Sequence, residues 1–210
     1  MSHKPNAFID FDGTKYDTRE AHALYLNDTY GIKSTPEDFY GNRSLIEIVQ
    51  LYKPELSLKH EEVYHDLQMN FLTSHTYHRT VQPLPGMVKV MNEIVKKYKP
   101  WTVTARGKLG LPIIHDFNQR FIPNCVAGVH CVYMYSAGKW HNTPKHQFVN
   151  EIVQGNPGFF LDDAVSEVLQ MQDETPGMPS YLFCPFGVPE NTEGVNHIIP
   201  SWEDVGHLVL

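Results

Sequence analysis

Two pairs of carboxylates sit where chemistry is to be expected. Asp10 and Asp12 close the short apolar run Ala7-Phe8-Ile9-Asp10-Phe11, and Asp162 with Asp163 follows Phe160-Leu161. Carboxylates at the end of an apolar strand are costly to bury unless a cation or hydrogen bonds neutralise them. Parallel strands set their C-terminal ends along one sheet edge, so the two pairs can converge in one crevice. Four carboxylates there call for a divalent cation, and oxygen donors without a His or Cys cluster select a hard ion, with Mg2+ the leading candidate. Three further groups suit an anion. Thr104, closing Trp101-Thr102-Val103-Thr104, offers a hydroxyl and neighbouring backbone N–H groups; Arg106 adds a charged fork; Lys145, after Pro144, adds a point charge. Lys139 competes with Lys145, lying only six residues earlier. A calcium loop begun at Asp10 fails, because Thr14 and Lys15 stand where it needs a ligand and a glycine.

The elements that must position these groups alternate along most of the chain. Ala7–Phe11 is predicted to be a buried parallel strand ending in a loop at Asp12-Gly13. From about Thr18 to Arg79 the sequence is charged and His-rich, with helices predicted at Thr18–Tyr30, Ser44–Tyr52 and Leu58–His78 and no strand. Pro83-Leu84-Pro85-Gly86 punctuates the chain, and Met87, Val90, Met91, Ile94, Val95 and Tyr98 then mark an amphipathic helix. Strands are predicted at Trp101–Thr104, Cys125–Val129, Cys131–Tyr135, Gly158–Leu161, Tyr181–Cys184 and His197–Ile199. Helices are predicted at Leu111–Arg120, Pro144–Val153 and Ala164–Met171, with Ser201-x-x-Asp204 opening a last one. This pattern predicts an α/β fold: a parallel sheet flanked by helices, interrupted once by a helical insertion.

Composition narrows the function classes. The 210 residues make one large domain or one domain with an insertion, and 41% hydrophobic against 20% charged residues can bury a core. A net charge of −7 makes duplex nucleic acid a poor partner. Cys125, Cys131 and Cys184 form neither an even disulfide set nor a zinc spacing, so reduced, buried thiols are expected. No apolar run suits a signal peptide or a membrane span, and the expectation is a soluble, cytoplasmic protein.

Asp10-Phe11-Asp12-Gly13-Thr14, then Thr104, a lysine and Asp162-Asp163, in that order, resembles the four motifs of the haloacid dehalogenase-like (HAD) superfamily. The resemblance spans nearly the whole chain outside the insertion. It implies a Rossmann-like core from residues 1–14 and 82–210 and a small helical cap at 15–81. It also implies that Asp10 accepts a phosphoryl group as an aspartyl phosphate, while Asp12 protonates the leaving oxygen and then activates water. Thr104, Arg106 and Lys145 would bind the phosphate. Asp10, the backbone carbonyl of Asp12 and Asp163 would hold Mg2+, with Asp162 orienting a metal-bound water or the lysine. Asp12 favours phosphate esters, because the dehalogenase branch lacks a second Asp there. The implied activity is a phosphomonoester hydrolase acting on a small phosphorylated metabolite, a nucleotide foremost. A phosphomutase shares the same core residues, and a catalytically silent binding module is the reading outside enzymes; two retained, mutually repelling carboxylates oppose the latter. In the insertion, Phe39, Tyr40, Tyr52, Tyr64, Phe71 and Tyr77 are expected in the core, and His60, His65, His75 and His78 in solvent. The sharper alternative is a stacking surface for a base.

Overall fold

The computed structural model describes residues 4–41, 43–136, 139–153 and 157–210. Strand β1 (Asn6–Ile9) is buried along its whole length and lies in the middle of the sheet. Parallel strands β2 (Lys99–Gly107) and β5 (Phe159–Asp162) flank it, with Ile9 level with Thr102 on one side and Leu161 on the other. Beyond β2 lies β3 (Gly128–Ser136), and beyond β5 lie β6 (Ser180–Phe183) and β7 (Ile198–Ile199), all parallel. A short antiparallel strand, β4 (Lys139–Asn142), closes the β3 edge.

Successive strand residues point to opposite faces, so Phe8 and Ile9 serve different cores. Helices α5 (Met87–Lys97), α6 (Leu111–Phe121) and α9 (Trp202–Val209) cover the Ile9 face with Met91, Ile94, Ile114 and Trp202. Helices α7 (Lys145–Val153) and α8 (Val165–Glu174) cover the Phe8 face with Val149 and Val168. The α/β architecture is thus the one the alternation predicts. The Ser201 hydroxyl accepts from Asp204 N at 3.2 Å and opens α9 as expected. All three cysteines are free and buried. No helix among the described residues is long and apolar enough to cross a membrane.

Two expectations need correction. The segments Cys125–Val129 and Cys131–Tyr135 belong to a single strand, β3, which starts only at Gly128; Asn124, at φ 62°, turns the chain just before it. Nothing at His130 breaks the ladder. The long helix Leu58–His78 is instead broken into α3 (His60–Asp66), a π-helical turn at Leu67–Phe71, and one turn, α4 (His75–His78). Gln68, inside the π turn, reaches across to Ala105 O at 3.2 Å and accepts from Gly107 N at 2.9 Å, so bonding to β2 accompanies the irregular winding.

The rest of the insertion follows local rules. Helix α1 (Arg19–Tyr30) ends at Gly31 in the left-handed region, where its N–H bonds Asn27 O. Helix α2 (Leu45–Tyr52) opens on a Ser44/Glu47 capping box. Lys15 and Tyr16 pack with the core: Tyr16 bridges Asp12 and Pro83, and Lys15 is buried against Thr102.

Candidate active site

The chain leaves β1 for β2 on one side and later returns to β5 on the other, so the C-terminal end of β1 is a switch point where a crevice opens. Asp10 N donates to Leu161 O at 2.9 Å, which fixes the first acidic segment to β5. Gly13 then turns the chain at φ 68°, and a Cβ there would overlap the Asp163 carboxylate. Only glycine allows the two acidic segments this approach.

A crevice of about 260 Å³ gathers Asp10, Asp12, Thr104, Lys145, Asp162 and Asp163. Lys145, the first residue of α7, is buried and donates from Nζ to Asp10 Oδ1 at 2.8 Å and to Asp162 Oδ2 at 2.6 Å. The other Asp162 oxygen accepts from Ala164 N at 3.0 Å. Lys139 begins β4, and its side chain lies outside the described residues. Thr104 is buried at the end of the crevice, where its hydroxyl accepts from Arg106 N at 3.2 Å.

Asp10, Asp162 and Asp163 each present an oxygen, all within 4.8 Å of one another, against the single ammonium of Lys145. Burial pushes Asp10 up to about 7 despite the pull of Lys145, with Asp162 and Asp12 adding repulsion. Burial likewise raises Asp162 and Asp163. Burial opposes the Lys145 charge, but Asp10 and Asp162 outweigh it and hold the ammonium well above its ordinary value. Three crowded carboxyls that one lysine does not fully compensate form an all-oxygen donor set, and a hard dication, which can replace their protons, fits it.

Arg106 is placed elsewhere than its predicted phosphate-binding position. Its guanidinium is fully buried and takes Asp12 in a fork, Nε to Oδ2 at 2.8 Å and Nη2 to Oδ1 at 2.7 Å. Its remaining arm donates to Leu72 O, and Arg106 is not among the residues that line the crevice. The Tyr16 hydroxyl also donates to Asp12 Oδ1, at 2.6 Å. Burial would raise Asp12, but the Arg106 charge and these hydrogen bonds win and hold it well below the usual carboxylate range.

Sequence reasoning did not find Tyr16, whose role depends on the turn that folds it back onto Asp12. It also placed His78 in solvent. The ring is buried, with Nδ1 3.3 Å from the Tyr16 hydroxyl and Nε2 3.2 Å from Phe71 O. From the insertion, Arg19, His22, Phe39 and Arg43 line the crevice. Tyr77 turns away to Asp28, and Phe71 is buried among aromatic rings.

The sequence matches no protein-family model and no curated protein. Solved structures match over the whole chain. A candidate phosphatase from Clostridium difficile superposes with a TM-score of 0.70 at 14% identity, covering 100% of both chains. A haloacid dehalogenase-like family hydrolase from Streptococcus pneumoniae gives 0.63 at 15% identity over 98% of both. The chain has the HAD-like fold. A third structure of that fold, a candidate HAD hydrolase from Bacillus subtilis described as bound to magnesium, gives 0.61 at 13% identity over 99% of both chains. In the HAD-like fold of this chain, the Asp10 and Asp162-Asp163 segments meet at the central switch point, where Arg19, His22, Phe39 and Arg43 also line the crevice.

Proposed function

We propose that the protein is a phosphomonoester hydrolase that uses Asp10 as nucleophile and a bound divalent cation, Mg2+ foremost. The observation that carries this reading is the meeting of Asp10, Asp162, Asp163 and Lys145 in one crevice. The solved structures named as phosphatases and HAD hydrolases, one of them with magnesium, support it.

In the first step an Asp10 carboxylate oxygen attacks phosphorus, the bond to the leaving oxygen breaks, and that oxygen takes a proton from solvent water. In the second, water attacks the aspartyl phosphate, gives its proton to a base, and releases phosphate with Asp10 restored. Lys145 holds Asp10 in place and keeps part of its charge compensated before substrate arrives. Asp10, Asp163 and the Asp12 carbonyl would hold the dication, which would supply electrostatic stabilisation of the phosphoryl oxygens. Thr104, on β2 and lining the crevice with Ala105, is the group that would take an anionic oxygen. Asp12, ionised under Arg106 and Tyr16, is the proton acceptor for the water. The crevice volume suits a small phosphorylated metabolite, and the insertion contributes the rings of His22 and Phe39 to its lining, the support for a nucleotide base.

The test is phosphate release from a panel of phosphorylated metabolites and p-nitrophenyl phosphate, with Mg2+ and after chelation. Turnover that needs Mg2+ and falls at least a thousandfold in Asp10→Asn, with the fold retained, is expected. Turnover that survives chelation, or near-normal turnover in Asp10→Asn, overturns the reading.

A further inference from the structure

Strand β2 slips out of register with β3 beside the crevice. From Thr104 to Gly107 it advances three residues while β3 advances two, from Cys131 to Tyr133, so Ala105 and Arg106 form a bulge. Bulges of this kind re-aim a strand next to a site. Thr104 and Ala105 line the crevice here, and the backbone groups of the bulge, out of the ladder, need other partners. The insertion supplies them with one side chain. Gln68 is only 5% exposed; its Nε2 donates to Ala105 O at 3.2 Å, and its Oε1 accepts from Gly107 N at 2.9 Å, so a single amide spans the bulge. Nε2 also donates to the Tyr64 hydroxyl at 3.1 Å, and the Tyr64 ring packs 5.5 Å from that of Tyr133, the strand partner of Gly107. Leu72 O, just past the same π-helical turn, accepts from Arg106 Nη1 at 2.7 Å.

We propose that Gln68 is a positioning residue for phosphate binding: it holds the bulge so that Thr104 and Ala105 meet the phosphoryl oxygens of the substrate, and that site is complete only while the insertion is docked on β2. The residue type matters. Spanning a C=O and an N–H two residues on takes a donor and an acceptor in one planar group; an amide offers both, a carboxylate only acceptors and a hydrocarbon neither. Groups that hold a reacting oxygen tolerate little displacement, and a shift of about 1 Å can cost on the order of a hundredfold. Phosphate as the occupant rests on the hydrolase reading, whereas the hold of Gln68 on β2 does not.

The probe is inorganic phosphate, titrated calorimetrically into the full chain with Mg2+ present, so that binding is read without turnover. In Gln68→Met, of similar length but without a donor, affinity is expected to fall about tenfold or more, while the rise in melting temperature on adding Mg2+, which reads the acidic cluster, stays as in wild type. Tyr25→Phe, which removes a bond to Asp66 within the insertion, should lower stability and leave phosphate affinity within about twofold. Gln68→Glu serves if the Met variant does not fold: its deficit against wild type should be largest near about pH 8 and shrink toward about pH 5, where a protonated carboxyl regains a donor for Ala105 O. Absence of phosphate binding to the wild-type chain, wild-type affinity in the folded Gln68 variants, a Mg2+ increment lost along with phosphate affinity, or an equal loss in Tyr25→Phe overturns the proposal. So does a Gln68→Glu deficit that is the same at both pH values. Phosphate binding that depends on Gln68 in a chain without phosphatase activity would instead remove the hydrolase reading and leave the positioning role standing.

Discussion

Arg106 holds Asp12 by both carboxylate oxygens at 2.7 and 2.8 Å, and with its third arm donates to Leu72 O of the insertion at 2.7 Å. One buried guanidinium thus ties the acidic loop of the core to the helical insertion. It also keeps Asp12 ionised before substrate binds, so that in this state Asp12 carries no proton to give.

The first prediction follows from that state. With Asp12 ionised, the leaving oxygen gains little help, so phosphoesters with acidic leaving groups are expected to turn over fastest. Arg106→Lys keeps a charge but loses the fork; Asp12 should rise toward the ordinary carboxylate range, and the rate gap between p-nitrophenyl and alkyl phosphates should narrow about tenfold. An unchanged gap would show that Arg106 does not set the protonation of Asp12. Arg106→Met leaves Asp12 without its counter-ion, and urea titration should register a loss of about 3–5 kcal/mol.

A second prediction concerns Mg2+ and pH. Asp10 binds its proton up to about pH 7 in the folded chain, against an ordinary value of 3.8, so proton and cation compete for it. Between about pH 4 and 7 the metal-free fold holds more protons than the unfolded chain and loses stability from this group as pH rises. Stabilisation by Mg2+, the difference between melting temperatures with and without the ion, should therefore grow across that window. Taking the difference cancels the opposite slope of His22, which burial lowers to about 4. A Mg2+ increment flat in pH would count against the carboxylate cluster as the binding site.

Lys15 supplies a third. It is fully buried, donates to Thr102 Oγ1 at 2.5 Å, and is pushed down to about 7 by burial despite the opposing charge of Asp10. Between about pH 7 and 10.5 the unfolded chain holds a proton that the folded chain lacks, so stability rises with pH there, and the cost is full below 7. Lys15→Met should stabilise by on the order of a few kcal/mol at pH 7, with the gain fading toward pH 10.5. A Lys15→Met chain less stable at pH 7 would refute this.

The last prediction tests the insertion as a cap that selects substrate. Arg43 is exposed and lines the crevice, whereas Tyr77 bonds Asp28 away from it. Arg43→Ala is expected to reorder the substrate panel by about tenfold while p-nitrophenyl phosphate hydrolysis persists, and Tyr77→Phe to leave the order alone. An unchanged order in Arg43→Ala would leave the insertion a structural annex.

The sequence alone determined what short-range patterns can carry. The apolar runs ending in Asp10 and Asp162, the turn at Gly13, the Ser44 and Ser201 caps and the amphipathic period of α5 are local, and each is set by residues within a few positions of one another. The alternation of these elements sufficed for a parallel α/β sheet, and parallel order alone brought both acidic segments to one edge. Where a side chain chooses among distant partners, local pattern is silent. Arg106 reads as a fork for any anion, and only the fold puts Asp12, 94 residues away in sequence, inside its reach. His78 reads as solvated, yet Tyr16 and Phe71 enclose its ring, and nothing local foretells that Lys15 is buried against Thr102; burial is a property of the assembled layers. The break in the predicted helix Leu58–His78 has the same origin: the bonds of Gln68 to Ala105 and Gly107 exist only once β2 and the insertion have met.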